Sequence, residues 1–151
     1  MNELERILLV EDSSKDVELT LAALEEHDLA NEVVVAHDGA EALNYLYRRG
    51  EYKMRERDNP AVVLLDIKLP KVDGLEVLRQ IKSDPELETI PVVMLTSSRE
   101  EKDLVDSYKL GVNAYVVKPV NFQEFVNAVK KLGVFWAIVN EPPPGSVKKR
   151  L

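Results

Sequence analysis

Cysteine is absent from the 151 residues, which excludes a disulfide framework, a thiolate metal site and a cysteine nucleophile. A chain of this length buries roughly 68–70% of its unfolded surface on folding and needs no such staple. Long apolar runs are missing too: the longest, Leu132 to Val139, has eight residues, against the ~20 that a membrane-spanning helix requires. Met1 to Arg6 lacks the basic-then-apolar order of a signal peptide, so the expected compartment is the cytoplasm and no membrane partner is expected. Positive charge is scarce. The 20 Lys and Arg against 27 Asp and Glu give 20 − 27 = −7, and the first 30 positions hold nine acids but only Arg6 and Lys15 as bases. Neutralising nucleic-acid phosphates takes clustered Lys and Arg, so no nucleic-acid partner is expected, and the cluster Lys148-Lys149-Arg150 reads as a solvated end. Histidine is limited to His27 and His37, which have no neighbour at metal-ligand spacing and receive no role.

What remains, 45% hydrophobic and 31% charged residues, describes one soluble globular domain. Short β-branched runs alternate five times with longer stretches at helical spacing. Strands are predicted over Arg6–Glu11, Glu32–Ala36, Ala61–Asp66, Pro91–Thr96 and Ala114–Val117. Helices follow over Ser14–His27, Gly39–Arg49, Gly74–Lys82, Arg99–Leu110 and Phe122–Val139. Helix starts are marked by Asp38/Glu41, Asp73/Glu76, Ser98/Glu101 and Asn121/Glu124, each a capping residue with Glu three positions on. Strand-then-helix units of this kind imply an α/β fold with a doubly wound parallel sheet. The nearly all-apolar Val62–Leu65 and Val92–Leu95 fit its buried centre. Gly50 to Pro60 reads as the longest polar connection, and Glu141-Pro142-Pro143-Pro144-Gly145 ends the last helix. The expected organisation is a domain over 1–140 and a Pro-rich extended tail over 141–151, too short for an output module.

Ligands of open parallel sheets bind beyond the carboxyl ends of the strands. Those ends carry Glu11 and Asp12 on the first strand, Asp66 on the third, Thr96 on the fourth and Lys118 after the fifth. Any one of these is unremarkable, since acids after strands commonly cap helices; together they are a chemical set. Crowded carboxylates repel unless one keeps its proton or a hard cation sits between them. Oxygen donors without His or Cys select Mg²⁺, with Mn²⁺ as a substitute. A carboxylate facing such a metal attacks phosphorus to form an acyl phosphate. This assigns Asp66 as nucleophile, Glu11 and Asp12 as metal site, and Lys118 and Thr96 as phosphoryl contacts.

Leu8-Leu9-Val10-Glu11-Asp12, Leu64-Leu65-Asp66-Ile67-Lys68-Leu69-Pro70-Lys71-Val72-Asp73-Gly74, Pro91–Thr96, Gly111–Tyr115 and Lys118-Pro119 together resemble a response-regulator receiver domain of two-component signalling. The resemblance covers about residues 5–135. It implies a (βα)5 flavodoxin-like receiver fold with strand order 2-1-3-4-5 and phosphotransfer from a sensor histidine kinase to Asp66. It further implies Mg²⁺ held by Asp12, Asp66 and the backbone carbonyl of Lys68, with Glu11 behind or acting through water. A cis Lys118-Pro119 bond and a switch pair, Thr96 and Tyr115, are implied as well. Ser97 departs from the small Ala or Gly common after the switch residue, while Lys68 and Ser98 occupy positions that influence phosphoryl lifetime.

The longer second-to-third-strand connection with Gly50-Glu51-Tyr52, the Ser107-Tyr108 segment and the Phe135-Trp136 ending before the prolines resemble stand-alone receivers that partner phytochrome-type histidine kinases. Output is then by contact, through the fourth helix, fifth strand and fifth helix. The apolar Phe135–Val139 and the stiff tail suggest a homodimer. Competing readings are a receiver-like scaffold that is never phosphorylated, against which the intact set speaks, and a Mg²⁺-dependent aspartyl-phosphate phosphatase. The phosphatase would place a second Asp where Lys68 stands. A flavin or nucleotide binder lacks its Gly-rich loop.

Overall fold

The computed structural model describes residues 5–25, 31–55, 59–97, 99–107, 109–110, 112 and 114–131. Its elements are β1 (Glu5–Val10), α1 (Ser14–Glu25), β2 (Asn31–Ala36), α2 (Gly39–Tyr47), β3 (Val62–Asp66), α3 (Gly74–Ser83), β4 (Val92–Thr96), α4 (Arg99–Ser107), β5 (Tyr115–Val117) and α5 (Phe122–Lys131). All strand pairs are parallel, and the sheet order is β2-β1-β3-β4-β5, as the resemblance implies.

Side chains alternate across a pleated strand, and here the alternation divides the core in two. Leu8, Val10, Val63, Leu65 and Met94 meet α2, α3 and α4 through Leu43, Leu46, Leu78, Ile81 and Val105. Ile7, Leu9, Val62, Leu64, Val93 and Leu95 meet α1 and α5 through Leu24, Phe125 and Val129. Every residue of β3 and β4 is buried, which is why both read as unbroken apolar runs rather than alternating ones. Register brings their carboxyl ends level, with Asp66 beside Leu95 and Thr96 beside Val117. Among the described residues, no helix is long and apolar enough to cross a membrane.

The helix ends show how local chemistry sets boundaries. Asp38 is extended and its Oδ1 accepts from the Glu41 amide at 2.7 Å. Glu41 Oε1 reaches back to the His37 amide at 2.9 Å. Asn121 Oδ1 accepts from the Glu124 amide at 2.8 Å. Asp73 instead serves the Leu75 amide, leaving Glu76 to pair forward with Arg79 and Gln80. α1 begins at Ser14 as predicted, and its cap, outside the four marked pairs, is Ser13, whose Oγ accepts from the Asp16 amide at 3.2 Å. The predicted α2 runs to Arg49 but stops at Tyr47, because Arg48 turns left-handed (φ 56) and returns its N–H to the Asn44 and Tyr45 carbonyls. The predicted α4 runs to Leu110 but ends at Ser107, and Lys109 is left-handed (φ 52). The polar connection after α2 contains a 3₁₀ turn, Gly50–Tyr52, tied down by Tyr52 Oη donating to Glu41 Oε2 at 2.7 Å and by Arg55 stacked over the Tyr45 ring. The expected continuation of α5 to Val139, the apolar Phe135–Val139, the boundary at 140 with its tail, and Ser98 and Tyr108 lie outside the described residues.

Losing the Asp38 cap strands one amide at the start of α2. Asp38→Ala is expected to cost about 1 kcal/mol, read as a lower urea midpoint with unchanged slope.

Candidate functional site

Three segments converge on the carboxyl rim. The first is the β1–α1 junction. Glu11 continues the β1–β2 ladder, its amide bonded to the Ala36 carbonyl at 3.0 Å. Its side chain is 1% exposed, and Oε2 accepts from the Ser13 amide at 3.2 Å. Asp12, next along, is exposed.

The second is Asp66, ending β3 at 5% exposure. The loop after it is shaped by close backbone packing at both ends. Gly74 donates to the Ile67 carbonyl at 2.9 Å, and a Cβ there would lie 2.1 Å from the Asp66 carbonyl oxygen. Gly39, opening α2, donates to the Pro70 carbonyl at 3.3 Å, and its own Cβ would lie 1.9 Å from the Val72 carbonyl oxygen. Lys71 is left-handed (φ 68), and its Nζ pairs with Asp38 at 3.6 Å.

The third is the exit of β5. The Lys118 amide bonds the Thr96 carbonyl at 2.8 Å, and the Lys118-Pro119 bond is cis. Lys118 Nζ then lies 3.2 Å from Glu11 Oε1, 3.1 Å from Asp66 Oδ2 and 3.1 Å from Asp16 Oδ2. Glu11, Asp12 and Asp66 each bring one carboxylate oxygen within 4.8 Å of the others. Three carboxylates thus contact one ammonium and a fourth, Asp12, adjoins two of them, 1 − 4 = −3 in formal charge. A compact, all-oxygen donor set with this surplus of negative charge fits a hard divalent cation.

The electrostatics follow from burial and crowding. Burial, then the Asp66 charge, pushes the Glu11 carboxyl up to about 7 against the pull of the Ser13 amide and Lys118. Burial raises Asp66 as well, with Lys118 opposing. Burial works against the Lys118 ammonium, yet Asp66, Asp16 and Glu11 together hold it above the ordinary lysine value.

Thr96 is 1% exposed and its Oγ1 has no hydrogen-bond partner among the described residues. Tyr115 is half-buried on β5 beside Met94, its Oη donating to the Val112 carbonyl at 3.1 Å. The Lys68 side chain points outward to Glu101 at 3.6 Å, and Glu101 also accepts from the Ser97 amide. The structure therefore gathers Glu11, Asp12, Asp66 and Lys118 into one cluster and sets Thr96 at its edge, while the side chains of Lys68 and Tyr115 make their contacts elsewhere. Sequence reasoning missed Asp16. The signal available was the Ser13-Ser14-Lys15-Asp16 capping pattern, which places Asp16 in the first turn of α1 facing the rim.

The family model of the response regulator receiver domain matches residues 7–130. The response regulator Rcp1 of Synechocystis sp. is 42% identical over 130 residues, covering 86% of this chain and 87% of its own length. Among solved structures, the bacteriophytochrome response regulator AtBRR superposes with a TM-score of 0.88 at 66% identity, over 93% of this chain and 100% of that one. The Mn²⁺-bound form of Rcp1 gives 0.70 at 41% identity, over 88% and 94%. The phosphorylated cyanobacterial phytochrome response regulator RcpA gives 0.71 at 45%, over 89% and 94%.

Proposed function

The chain belongs to the response regulator receiver family, and on that premise we propose that it accepts a phosphoryl group on Asp66 from a sensor histidine kinase of the phytochrome type in the cytoplasm. The observation that carries this reading is the single ammonium of Lys118 held within 3.2 Å of Asp66 and Glu11, beside a carboxylate triplet fit for a divalent cation. A Glu11, Asp12 and Asp66 set would hold Mg²⁺, with the Lys68 carbonyl as a further ligand. When bound, the ion supplies charge neutralisation for the phosphoryl oxygens. Mn²⁺ would serve in its place; Rcp1 has itself been solved in a Mn²⁺-bound form.

In the reaction an Asp66 carboxylate oxygen attacks phosphorus. The P–N bond to the donor histidine breaks, and the imidazole nitrogen keeps the bonding pair. Lys118 donates to a phosphoryl oxygen in place of Asp66. The buried Thr96 hydroxyl, lacking a partner among the described residues, donates to another, and that movement carries the signal to Tyr115 and the α4-β5-α5 surface. Exposed Leu104 and Val117 lie on that surface and support its use as a contact with a kinase or a second copy, a homodimer to which residues 141–151 would add. The protein is a signalling switch whose only turnover is of its own acyl phosphate.

Incubation of the wild type with acetyl phosphate and Mg²⁺, read by intact mass, is expected to give a phosphate-sized gain that chelation abolishes. No gain under either condition would favour the unphosphorylated scaffold. Thr96→Ala is expected to keep the mass gain and lose the phosphorylation-dependent change in oligomeric state. It should not lower the urea midpoint, since it deletes an unpaired buried hydroxyl of the kind that costs about 1–3 kcal/mol.

A further inference from the structure

We propose that Asp16 is a positioning residue for phosphotransfer. Together with Glu11 it tethers the Lys118 ammonium, so that the N–H now on Asp66 passes to the incoming phosphoryl group without the lysine leaving the site. The proposal rests on the phosphoacceptor reading of Asp66.

A lysine ammonium has three N–H donors and no acceptor, and Lys118 has three carboxylates at 3.1–3.2 Å, those of Glu11, Asp16 and Asp66. Each donor therefore has one acceptor. The three partners are not equivalent. Asp66 is the reacting group, and its oxygen lone pairs are drawn on when the bond to phosphorus forms. Glu11 is 1% exposed, with its second oxygen already on the Ser13 amide. Asp16 lies outside the carboxylate triplet that fits a cation, so neither metal nor phosphorus competes for it. It is the one of the three whose hold on Lys118 is the same before and after transfer.

The local fold fixes Asp16 in that role. Ser13 Oγ caps its amide at 3.2 Å, which sets it in the first turn of α1, where the helix dipole favours a negative charge. The lysine stem is long and flexible, and freezing its rotamers costs entropy. A second anchor beside Glu11 defrays that cost before the donor arrives, which is how preorganised contacts accelerate transfer. The side-chain exposures, 17% for Lys118 and 30% for Asp16, place the pair at the rim, partly shielded from solvent.

An alternative is that Asp16 only stabilises the start of α1. The two roles separate in a double-mutant cycle. Wild type, Asp16→Asn, Asp16→Glu, Lys118→Gln and the Asp16→Asn/Lys118→Gln pair are phosphorylated with acetyl phosphate and Mg²⁺, the rate is taken from intact mass against time, and urea midpoints are measured alongside. Asp16→Asn is expected to slow phosphorylation on the order of tenfold, Asp16→Glu to recover most of the loss, and Asp16→Asn to add no further slowing once Lys118 is Gln. A helix-only role would shift the urea midpoint equally in both backgrounds and leave the rate untouched, and that result overturns the proposal. Equal slowing in both backgrounds overturns it as well. Absence of any mass gain in the wild type removes the phosphoacceptor reading itself, and the positioning role falls with it; a wild-type gain unchanged by Asp16→Asn removes the positioning role alone.

Discussion

Asp66→Asn is expected to abolish the phosphate-sized mass gain with acetyl phosphate and Mg²⁺ while leaving the fold intact. The amide keeps the shape of the carboxylate, but it is a far weaker nucleophile toward phosphorus. Two of the neighbouring acids are already engaged in the structure: Glu11 is buried with both oxygens bonded, and Asp16 is occupied with Lys118. Stability should move the other way from activity. Burial raises the Asp66 pKa on folding, so the folded state binds that proton more tightly than the unfolded chain does. Its ionised form at neutral pH therefore works against folding, and an uncharged amide removes that penalty. Without metal, the urea midpoint of the variant should equal or exceed that of the wild type. With Mg²⁺ the order should reverse. A ligand that binds only the folded state stabilises it by about 2.7 kcal/mol at a hundred times its Kd, and the variant has lost one of three carboxylates. A mass gain that persists in the variant would move the acceptor to another residue.

Gly74→Ala is expected to damage both the fold and the site. The added Cβ would lie 2.1 Å from the Asp66 carbonyl oxygen, 2.5 Å from that of Ile67 and 2.8 Å from the Ile67 Cα. All three obstacles are backbone, so no rotamer change relieves them. Either α3 moves away from the sheet, uncovering buried Leu75 and Leu78, or the end of β3 shifts and takes Asp66 out of reach of Lys118. Overpacking of this kind costs about 3 kcal/mol, seen as a lower urea midpoint. Phosphorylation should slow even in the fraction that stays folded, because Asp66 and the crowded carbonyl are one residue. A wild-type midpoint with a wild-type rate would show that the β3–α3 contact is softer than its distances indicate.

The strands and helices were legible because several local signals agreed. The unbroken β3 and β4 runs, the caps at Asp38 and Asn121 and the amphipathic spacing of α3 and α5 all point one way. The carboxylate cluster was legible because parallel topology forces strand ends together whatever their separation in the chain. Helix ends were harder to read. Arg48 and Lys109 adopt left-handed backbone that sequence would normally announce with glycine. The turn at Gly50–Tyr52 owes its order to Glu41 and Tyr45 on another element, and no local pattern encodes that. Asp16 stayed hidden for the same reason, since an acid in a first helical turn already has a sufficient local explanation. Its second partner is 102 positions away.

That separation bears on biosynthesis. Lys118 joins residues 107, 102 and 52 positions earlier in the chain, so Asp66, the proposed acceptor, leaves the ribosome long before the ammonium beside it. A chain halted short of β5 carries the former without the latter.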